Sequence, residues 1–596
     1  MSPSNNRRPQ PGRLAGETVM LWVGIGVVVF AVATVYAAVK LGHQFASLPP
    51  GPLNPWAIFF GVLQGDVAWP VQSTVVAAAV AAVLLIVAVL VAVAASRRRS
   101  KASRVDHAAR YMGRGRDVEN LTQKAATATA TRLGVQGSAG VPIGATVATG
   151  TSLYGSWEDM QIDVWGPRTG KTTSRAVPAI LDAPGPALVT SNKRDVVDAT
   201  RDVRQAAGPV WVFDPQGIAR EEPAWWWNPL SYVVDEVRAA KLAEHFASGS
   251  REAGARTDAY FDPAAQDLLA GLLLAAALDR RPITDVYSWL TRPSDDAAVD
   301  VLNRHGFPLT ADQVAGVIAA PEKQRGGVYG TAQQMASCLT NRSVACWVTP
   351  QPMDLRPQFQ PETFIREGGT LYSLSKEGRG TAGPLVTALT VAVVEAAEEL
   401  AARSPGGRLT VPLLGILDEA ANVCRWRELP NLYSHYGSRG IVLMTILQSW
   451  SQGVEVWGES GMRKLWSASN VKVYGGGVDE DAFLEHLSKV IGDFDAQTSS
   501  VSYGKGHRQV SQQLHRERIL DVADLAALPK GRAVVFASGS RPTLIKTAPW
   551  MTGCHAEAVR ASISAHDPEA TATLTTAAVE LAAVERADAQ PAAVPR

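Results

Sequence analysis

The sequence has 596 residues and a formal net charge of +1 at neutral pH. Hydrophobic residues make up 46% of the chain and charged residues only 19%, which excludes a mainly disordered protein. A chain of this length can hold two or three domains. The small net charge neither supports nor excludes a nucleic-acid partner, because binding depends on where the charge lies. The four cysteines lack metal-ligand spacing, as expected of reduced thiols in a cytoplasmic domain.

Two long apolar stretches lie near the beginning of the chain, at residues 19–39 and 73–95. Neither contains a charged residue, and about 20 such residues allow a helix to cross the hydrocarbon core of a membrane. Arginines precede the first stretch and five basic residues follow the second, whereas the loop at 40–72 has Lys40 as its only lysine or arginine. Positive residues stay on the cytoplasmic side. We therefore predict a two-pass protein of the cytoplasmic (inner) membrane with both termini cytoplasmic.

Each apolar stretch has an alternative interpretation. Either could be a buried helix of a soluble domain, and the first could be a cleaved signal peptide. Cleavage would leave the bulk of the chain on the same side of the membrane, so the segment after the second stretch is expected in the cytoplasm in both cases.

The rest of the chain is predicted to be an α/β domain with a helical insertion. Eight short apolar runs, separated by helical stretches, indicate a parallel sheet that is buried on both faces. The runs lie at 161–165, 187–190, 210–213, 370–374, 413–417, 442–447, 471–474 and 533–537. Helical periodicity between them predicts an all-helical insertion at 233–350, which divides the α/β domain into 137–232 and 351–556.

Three further segments complete the predicted organisation. Residues 1–18 form a cytoplasmic tail, and residues 96–136 form a basic linker or stalk. Residues 557–596 are rich in alanine and acidic residues, and they are expected to form a loosely attached helix followed by a disordered end.

A glycine-rich loop follows the run at 161–165 and precedes a helix-compatible stretch. In this context the backbone N–H groups and the helix N-terminus hold nucleotide phosphates, a lysine adds positive charge and a hydroxyl ligates Mg²⁺. The loop is short, because three residues rather than four separate Gly166 from Gly170, and this places Trp165 in the first-glycine position. A glycine-rich turn without a ligand is the alternative for this motif alone. The predicted nucleotide-binding residues are Gly166, Pro167, Arg168, Thr169, Gly170, Lys171, Thr172 and Thr173, with Thr172 as a Mg²⁺ ligand.

Polar side chains end two later apolar runs. Asp418 and Glu419 follow the run at 413–417, and Gln448 follows the run at 442–447. Asp418 would hold Mg²⁺ through water, Glu419 would polarise the attacking water, and Gln448 would contact the γ-phosphate. Each alone could be a solvated turn at a strand end. Together with the phosphate loop they favour an ATP hydrolase that uses ATP and Mg²⁺.

An ordered series of motifs surrounds these residues. The series includes Val189-Thr190-Ser191-Asn192-Lys193-Arg194-Asp195, Trp227-Asn228-Pro229-Leu230, Leu417-Asp418-Glu419-Ala420-Ala421-Asn422, Tyr436-Gly437-Ser438-Arg439-Gly440-Ile441 and Ile446-Leu447-Gln448-Ser449. This series, across residues 161–547, resembles the type IV secretion system coupling proteins, the TraG/TraD-like conjugative DNA-transfer ATPases. The short phosphate loop and Ala421, where the family usually has a bulkier residue, depart from the family pattern.

The resemblance implies a RecA-like P-loop NTPase with an inserted all-α domain and two N-terminal transmembrane helices. It also implies a homo-hexamer at the inner membrane that contacts membrane lipid. Such a ring would receive single-stranded DNA with its attached relaxase from the relaxosome, and it would pass them to type IV secretion channel components.

Other functions are open at this point. An FtsK-like translocase would pump double-stranded DNA, but it would carry a basic DNA-reading module where this chain has an acidic, alanine-rich tail. An exporter would move protein substrates only. A membrane scaffold would have a vestigial nucleotide site, against which the intact Lys171, Asp418 and Glu419 argue.

Arginine and DNA contacts are predicted on weaker grounds. Arg439 precedes the strand that ends at Gln448, so it should lie far from the phosphate loop of its own subunit, and we predict it as a trans-acting arginine. A structural ion pair, for example with Glu428, is the alternative. The basic loop around Lys505, His507 and Arg508 would face either a central channel or the solvent. The tryptophans at 225–227 favour a packing cluster over a base-stacking surface.

Overall fold

The computed structural model of the protein describes residues 16–49, 51–99, 104–250, 258–351, 353–377, 381–504 and 507–589. It contains two compact units. The helices and strands of both units are numbered together in chain order. The smaller unit comprises 1–107, 492–518 and 588–596, and the larger one comprises 108–491 and 519–587. The basic residues expected before the first apolar stretch lie outside the described residues, as does Lys505.

Two long helices dominate the smaller unit. The helices of this part are α1 (Gly16–Phe45), α2 (Pro55–Gln64), α3 (Val71–Arg99) and the short α4 (Arg104–Ala108). The end of α1 lies so close to the beginning of α3 that a Cβ on Gly42 would collide with Ser73. The His43 ring bonds the carbonyl oxygens of Pro49 and Ala68 at 2.8 and 2.7 Å, which fixes the connecting segment. With 30 and 29 residues, α1 and α3 are each about 45 Å long.

Both predicted spans therefore fall on helices, but apolar length alone does not establish them as membrane spans. Where side chains are described, the apolar parts of these helices are shorter, at Val29–Phe45 and Val71–Val83. Among all the described residues of the chain, one helix is both long and apolar enough to cross a membrane. It is Phe261–Leu278, and half of it is buried inside the larger unit. The two-pass topology consequently stays a proposal.

A long antiparallel ribbon also belongs to the smaller unit. Its strands are β10 (Asp493–Gly504) and β11 (His507–Arg518), paired from Asp493 opposite Arg518 to Gly504 opposite His507. Arg516 pairs with Asp493 at 2.6 Å near the open end. Of the basic residues predicted to lie in a loop, His507 and Arg508 lie at the beginning of β11. The strands of the ribbon are polar and lack the apolar alternation that would have revealed them.

The larger unit is built on an eleven-stranded sheet in the order β2-β1-β13-β12-β9-β3-β8-β7-β4-β6-β5. The strands from β9 to β5 in this order run parallel, and those from β2 to β12 join them antiparallel. Their bounds are β1 Val141–Thr146, β2 Ser152–Gly155, β3 Gln161–Val164, β4 Ala187–Ser191, β5 Val210–Phe213, β6 Thr370–Leu374, β7 Leu413–Leu417, β8 Ile441–Leu447, β9 Val471–Tyr474, β12 Arg532–Ala537 and β13 Thr543–Lys546. The predicted α/β class with a large, mostly parallel sheet is confirmed.

The apolar runs exist because both faces of the parallel strands are covered. In β8, Ile441 and Leu443 pack into the core on one face, whereas Val442 and Met444 pack into the core on the other. Every residue of β8 is buried, as is every residue of β4, β6 and β7. Successive side chains of a strand point to opposite faces, so a strand buried on both faces has no solvent-facing position.

Helices cover the sheet. Those flanking it are α5 Gln123–Arg132, α6 Val177–Leu181, α7 Asp195–Gln205, α15 Pro361–Glu367, α16 Gly383–Arg403, α17 Ala420–Val423, α18 Leu429–Tyr436, α19 Trp450–Ala468, α20 Asp481–Ile491, α21 Val522–Ala526, α22 Ala556–His566 and α23 Ala570–Ala589. The helices of the insertion are α8 Glu236–Gly249, α9 Phe261–Leu278, α10 Thr284–Leu290, α11 Ala297–Arg304, α12 Pro308–Ile318, α13 Glu322–Met335 and α14 Arg342–Val348. The described part of 236–348 contains no strand.

The tryptophans at 225–227 lie where the sheet meets the insertion. Trp225 packs against Trp347 and Phe359 with ring centroids 5.5 and 5.3 Å apart, and it is buried together with Trp227. Trp225 and Trp227 thus belong to a packing cluster, as favoured from the sequence.

Two parts of the larger unit differ from the sequence-based expectations. The strands β1, β2 and β13 were missed, because none of them forms a continuous apolar run; β1, for example, is interrupted by Pro142 and Gly144. The C-terminal region is not loosely attached: α22 and α23 pack on the core, where Ala577 joins Val177, Trp550 and Met551. Alanine-rich sequence gives a weak apolar signal, yet its small side chains allow close helix packing.

Candidate nucleotide site

The glycine-rich loop is held between neighbouring strand ends. After β3, the N–H of Trp165 donates to Leu447 O and the N–H of Gly166 to Gly476 O, both at 2.9 Å. A Cβ on Gly166 would collide with the backbone of Gly477, so only glycine fits there. The indole of Trp165 is buried against Gly475, and its Nε1 donates to Thr169 O at 3.2 Å. The buried Trp165 side chain thus supports the phosphate loop, which is one residue shorter than usual.

The helix after the loop begins with a π-helical turn, Thr172–Ala176, in which Val177 N bonds Thr172 O. A π turn holds one residue more than an α turn. The extra residue follows directly on the loop that lacks one. Arg168 and Gly170 take left-handed backbone conformations, with φ of 58° and 92°. Pro167 and Arg168 are exposed at the tip of the loop.

A buried arginine anchors this helix to the sheet. Arg175 donates from Nε to Asp163 Oδ2 at 2.7 Å and from Nη2 to Gln161 Oε1 at 2.8 Å. Arg175 and Asp163 are both fully buried. Burial raises the pKa of Asp163, against the opposing charge of Arg175. Removing one partner of such a pair is strongly destabilising, so this contact fixes the helix that carries the phosphate-binding residues.

The structure brings four of the predicted residues together. Lys171 Nζ donates to Glu419 Oε1 and lies 3.3 Å from Asp418 Oδ1. Gln448 Nε2 donates to the same oxygen of Glu419 at 2.6 Å. The loop after β3 and the ends of β7 and β8 supply these groups, because β8 lies between β3 and β7 in the sheet.

Glu419 is held in an unusual conformation. It has a left-handed backbone with φ of 55°, and it is 3% exposed. Such a conformation costs about 1–3 kcal/mol at a non-glycine residue, and it persists where the surroundings determine it. Asn422 donates from Nδ2 to Glu419 Oε2 at 3.4 Å and to Glu377 Oε1 at 2.8 Å. The carboxylate of Glu419 is therefore oriented from both sides.

Electrostatics in this cluster depend on burial. Burial raises the pKa of Asp418 to about 6, although Lys171 opposes the shift. Burial alone would lower the pKa of Lys171, but Asp418 and Glu419 raise it above its ordinary value. The ammonium group of Lys171 is thus charged, and the two carboxylates balance its charge. A phosphate that binds to the loop can take their place as the partner of Lys171.

The side chains of Thr172 and Asp418 are suitable ligands for a Mg²⁺ ion that binds together with a nucleotide. Asp418 Oδ1 is buried and has no hydrogen-bond partner. Lys171 Nζ lies 3.3 Å from it and forms an ion pair, but the two groups are not aligned for a hydrogen bond. Mg²⁺ typically takes one or two protein oxygens, with phosphates and water completing its shell. Within the described ranges there is no cluster of three or more His, Cys, Asp or Glu that could form an all-protein metal cage. Thr172 and Asp418 are the oxygen donors that this loop and strand end supply.

Several neighbours were not singled out from the sequence. Glu377 accepts from both Asn422 and Asn192, at 2.8 and 3.1 Å, and so links two of the family-like motifs. Glu580 of α23 accepts from the hydroxyl of Thr173 at 3.2 Å. Neither glutamate lies in a recognisable motif, and only the folded chain places them beside the loop.

Arg439 lies at the other end of β8 from Gln448, in a 3₁₀ turn that ends before the strand. Its guanidinium pairs with Glu398 of α16 at 3.0 Å, not with Glu428. It remains partly exposed on its side chain, at 37%. Its position far from its own phosphate loop agrees with a role across a subunit boundary but does not establish one.

Comparison with known proteins bears on the same segment. Residues 412–530, which include β7, Asp418, Glu419 and Gln448, match the family model described as the TraM recognition site of TraD and TraG. The resemblance to TraG/TraD-like coupling proteins is confirmed. No curated protein sequence matches the chain significantly.

The fold is similar to that of one solved structure. The bacterial conjugative coupling protein TrwBdeltaN70, in its unbound monoclinic form, matches with a TM-score of 0.50 and 17% identity, over 68% of this chain and 88% of that one. VirB4 of Thermoanaerobacter pseudethanolicus is a more distant match, with a TM-score of 0.40 and 12% identity, over 70% of this chain and 99% of that one. At this identity the TrwB likeness concerns the fold alone.

Proposed function

We propose that this chain is a membrane-anchored ATPase that recruits single-stranded DNA with its attached relaxase and translocates them to a type IV secretion channel. The observation that carries the proposal is the meeting of Lys171 with Asp418, Glu419 and Gln448. Three of these four residues lie inside the segment that matches the TraD and TraG family model. The TrwB-like fold supports a RecA-like arrangement of the domain.

In the proposed reaction the phosphates of ATP replace the carboxylates as partners of Lys171. The loop Gly166–Thr173 holds the phosphates through its backbone N–H groups and the following helix N-terminus. Freed from Lys171, Glu419 accepts a proton from the attacking water, while Asn422 keeps its carboxylate oriented. Gln448, which donates to Glu419 in the structure, would contact the γ-phosphate. Thr172 and Asp418 would hold Mg²⁺, which offsets the negative charge that develops on the phosphate oxygens.

The helices α1 and α3 are proposed as the two membrane spans. Both are long enough, and apolar side chains such as Val29, Phe45 and Val75 are exposed on them. Contact with membrane lipid is more favourable for these apolar side chains than contact with water. The predicted cytoplasmic location of both termini and of the ATPase domain goes with this topology, as does a homo-hexameric ring at the inner membrane.

The partners follow from the same resemblance. The matched family is described by its recognition of TraM, so a relaxosome protein is the proposed partner of this segment. Single-stranded DNA, the relaxase and the channel components are the proposed cargo and destination.

A transfer assay tests the proposal. Donor cells lacking this protein would be complemented with the wild-type chain, with Lys171→Ala or with Lys323→Ala, which removes an exposed lysine of the insertion. We expect transfer from the wild type and the control but none from Lys171→Ala, at equal protein levels. Full transfer with Lys171→Ala would contradict an ATP-driven role and favour a scaffold.

The nature of the cargo is tested on the purified protein. Single-stranded DNA should increase ATP hydrolysis. Stimulation by double-stranded DNA only would favour an FtsK-like translocase. Hydrolysis that no DNA affects, together with export of protein from cells, would favour a protein exporter.

A further inference from the structure

The helix α19 bends back on itself at Gly458. This residue has φ of 69° and ψ of 168°, a backbone conformation that is essentially restricted to glycine. The step from Trp450 to Trp466 would rise about 24 Å along a straight helix. The ring centroids of these two tryptophans nevertheless lie 5.7 Å apart. A Cβ on Gly453 would collide with the sulfur of Met462, so the two halves of the helix are in close contact. The bend therefore brings both ends of α19 to one place.

A cavity of about 580 Å³, partly open to solvent, lies between this bent helix and α20. Its wall includes the rings of Trp450, Trp466 and Phe483. Phe483 stacks on Trp450 at 5.2 Å and meets Trp466 edge-on at 5.6 Å. Both tryptophans are half-buried, so each still exposes apolar surface. Ligand pockets in proteins typically have volumes of about 300–1,000 Å³ and a mainly apolar lining. The cavity is thus large enough to admit a bulky side chain of a ligand.

Three exposed polar side chains also line the cavity, namely Glu459, Arg463 and His486. Arg463 directs Nε and Nη2 to the same oxygen of Glu459, Oε1, at 2.9 Å in both cases. A guanidinium group has five N–H donors, so Arg463 retains donors for a further acceptor. Exposed ion pairs of this kind are weak. A carboxylate of a ligand can therefore share the guanidinium or replace Glu459 as its partner.

The composition of this cavity favours a protein ligand over a nucleic acid. Tryptophan and arginine are enriched among the residues that contribute most of the binding energy at protein interfaces. Single-stranded nucleic acid also stacks on aromatic rings, but it binds along a positively charged groove. Among the described residues that line the cavity, Arg463 is the only lysine or arginine, and Glu459 offsets its charge.

We propose that this cavity binds a segment of a partner protein, which packs a large apolar side chain against Trp450 and Trp466 and places an acidic residue beside Arg463. The apolar side chain covers the exposed surface of the tryptophans. The carboxylate accepts charge-assisted hydrogen bonds from the guanidinium. The inference rests on the proposed function, because that function assigns a relaxosome protein as the partner of residues 412–530, which include the whole cavity wall.

Peptide binding to the purified full-length chain tests this docking site. Short random peptides are selected on the wild-type chain after removal of those that also bind Ala482→Trp. Ala482 is an exposed residue of the cavity wall, so this change fills the cavity and leaves its aromatic rings in place. We expect the selected peptides to share a large apolar residue close to Asp or Glu. Trp466→Ala should weaken their binding by about 30-fold or more, as the loss of an interface anchor does.

An exchange of charges tests the contact with Arg463. Arg463→Glu should weaken binding of the selected peptides by about tenfold or more, as expected for the loss of hydrogen bonds from a charged group. Replacing the acidic residue of the peptide by lysine should restore binding to this variant. Lys489→Glu is the matched control, because Lys489 also pairs with a glutamate four residues before it, Glu485, but is not part of the described cavity wall. This control should bind the peptides like the wild type.

The outcomes separate this inference from the proposed function. Peptides that bind Ala482→Trp as tightly as the wild type, or a selection that leaves no peptide, would overturn the docking site. A labelled single-stranded oligonucleotide that binds the wild type but not Ala482→Trp would also overturn it, since the cavity would then be a base-stacking site. The proposed function fails on a different result, which is DNA transfer that does not depend on Lys171.

Discussion

The parallel sheet and the helical insertion of the larger unit are both well buried, but they bury different kinds of side chain. At the carboxyl edge of the sheet lie a fully buried ion pair, Arg175 with Asp163, and the charged cluster around Lys171. In the insertion, half of the residues of α9 are buried, and they are leucine, alanine and one glycine. The aromatic cluster around Trp225 joins it to the sheet.

Backbone strain also occurs at the charged cluster. Outside the insertion, four described non-glycine residues of the larger unit have a positive φ, and two of them, Glu419 and Arg168, lie within or beside the charged cluster. Between 236 and 348, Arg280 is the one described non-glycine residue with a positive φ, and it lies in a turn between helices. Buried charge and backbone strain are costly, and they persist where function requires them. The comparison therefore predicts that changes at the sheet edges alter chemistry, whereas changes in the insertion alter stability.

The largest expected effect concerns Arg439, at the opposite edge of the sheet. If it completes the site of a neighbouring subunit, Arg439→Ala should lower ATP hydrolysis by about 10³–10⁵-fold in assembled rings, as arginines that stabilise phosphoryl transfer do. Its ion pair with Glu398 is partly exposed and contributes at most about 1 kcal/mol, so stability should hardly change.

Mixing subunits separates the two roles of Arg439. Arg439→Ala and Glu419→Gln subunits, each inactive alone, should regain part of the activity together, because some interfaces pair an intact arginine with an intact base. Normal hydrolysis by Arg439→Ala rings would show that the arginine is structural and that another must be sought.

Trp225 tests the other side of the comparison. Trp225→Ala should lower the free energy of unfolding by about 3–5 kcal/mol, because it removes a buried ring that packs against several others. Hydrolysis per folded molecule should stay unchanged. Trp226→Ala, at the half-buried position next to it, should cost less. Denaturant unfolding of both variants provides the measurement, and equal losses would contradict the packing described for Trp225.

A smaller effect is expected from His245 of α8, which is buried with Nε2 unpaired. Burial lowers the pKa of His245 to about 3, from an ordinary value of 6.5. Between these values the unfolded chain binds the proton and the folded chain does not, so stability is full above pH 6.5 and is lost as the pH falls. The loss is about 1.4 kcal/mol per pH unit, or about 2 kcal/mol at pH 5. His245→Leu should lose about 2 kcal/mol less between pH 7 and pH 5 than the wild type does, with the exposed His305→Gln as the control; an unchanged pH dependence would refute the burial argument.

The features that could be predicted from the sequence are those with a regular pattern of apolar residues. All eight apolar runs correspond to strands, because a strand buried on both faces has no solvent-facing position that would interrupt the run. The described part of the segment 236–348 contains helices joined by turns and no strand. The clustering of Lys171 with Asp418, Glu419 and Gln448 could be predicted because strand ends of a parallel sheet meet at one edge.

Other features could not be found in this way. Strands β1, β2 and β13 are short and antiparallel, and the ribbon β10–β11 is polar on both strands. The π turn after Lys171 depends on the fit of a short loop around Trp165. Glu377 and Glu580 reach the site from distant parts of the chain, which no local pattern records.

The central claim, that this site hydrolyses ATP with Glu419 as the base, is tested most directly by Glu419→Gln. This variant keeps the shape of the side chain but cannot accept the proton. We measure ATP hydrolysis and retained ATP in the purified full-length chain, with the exposed Glu585→Gln as the control. The account predicts hydrolysis lower by about 10²–10⁴-fold, with ATP still bound and persisting in the site. Hydrolysis at the wild-type rate by Glu419→Gln would contradict it.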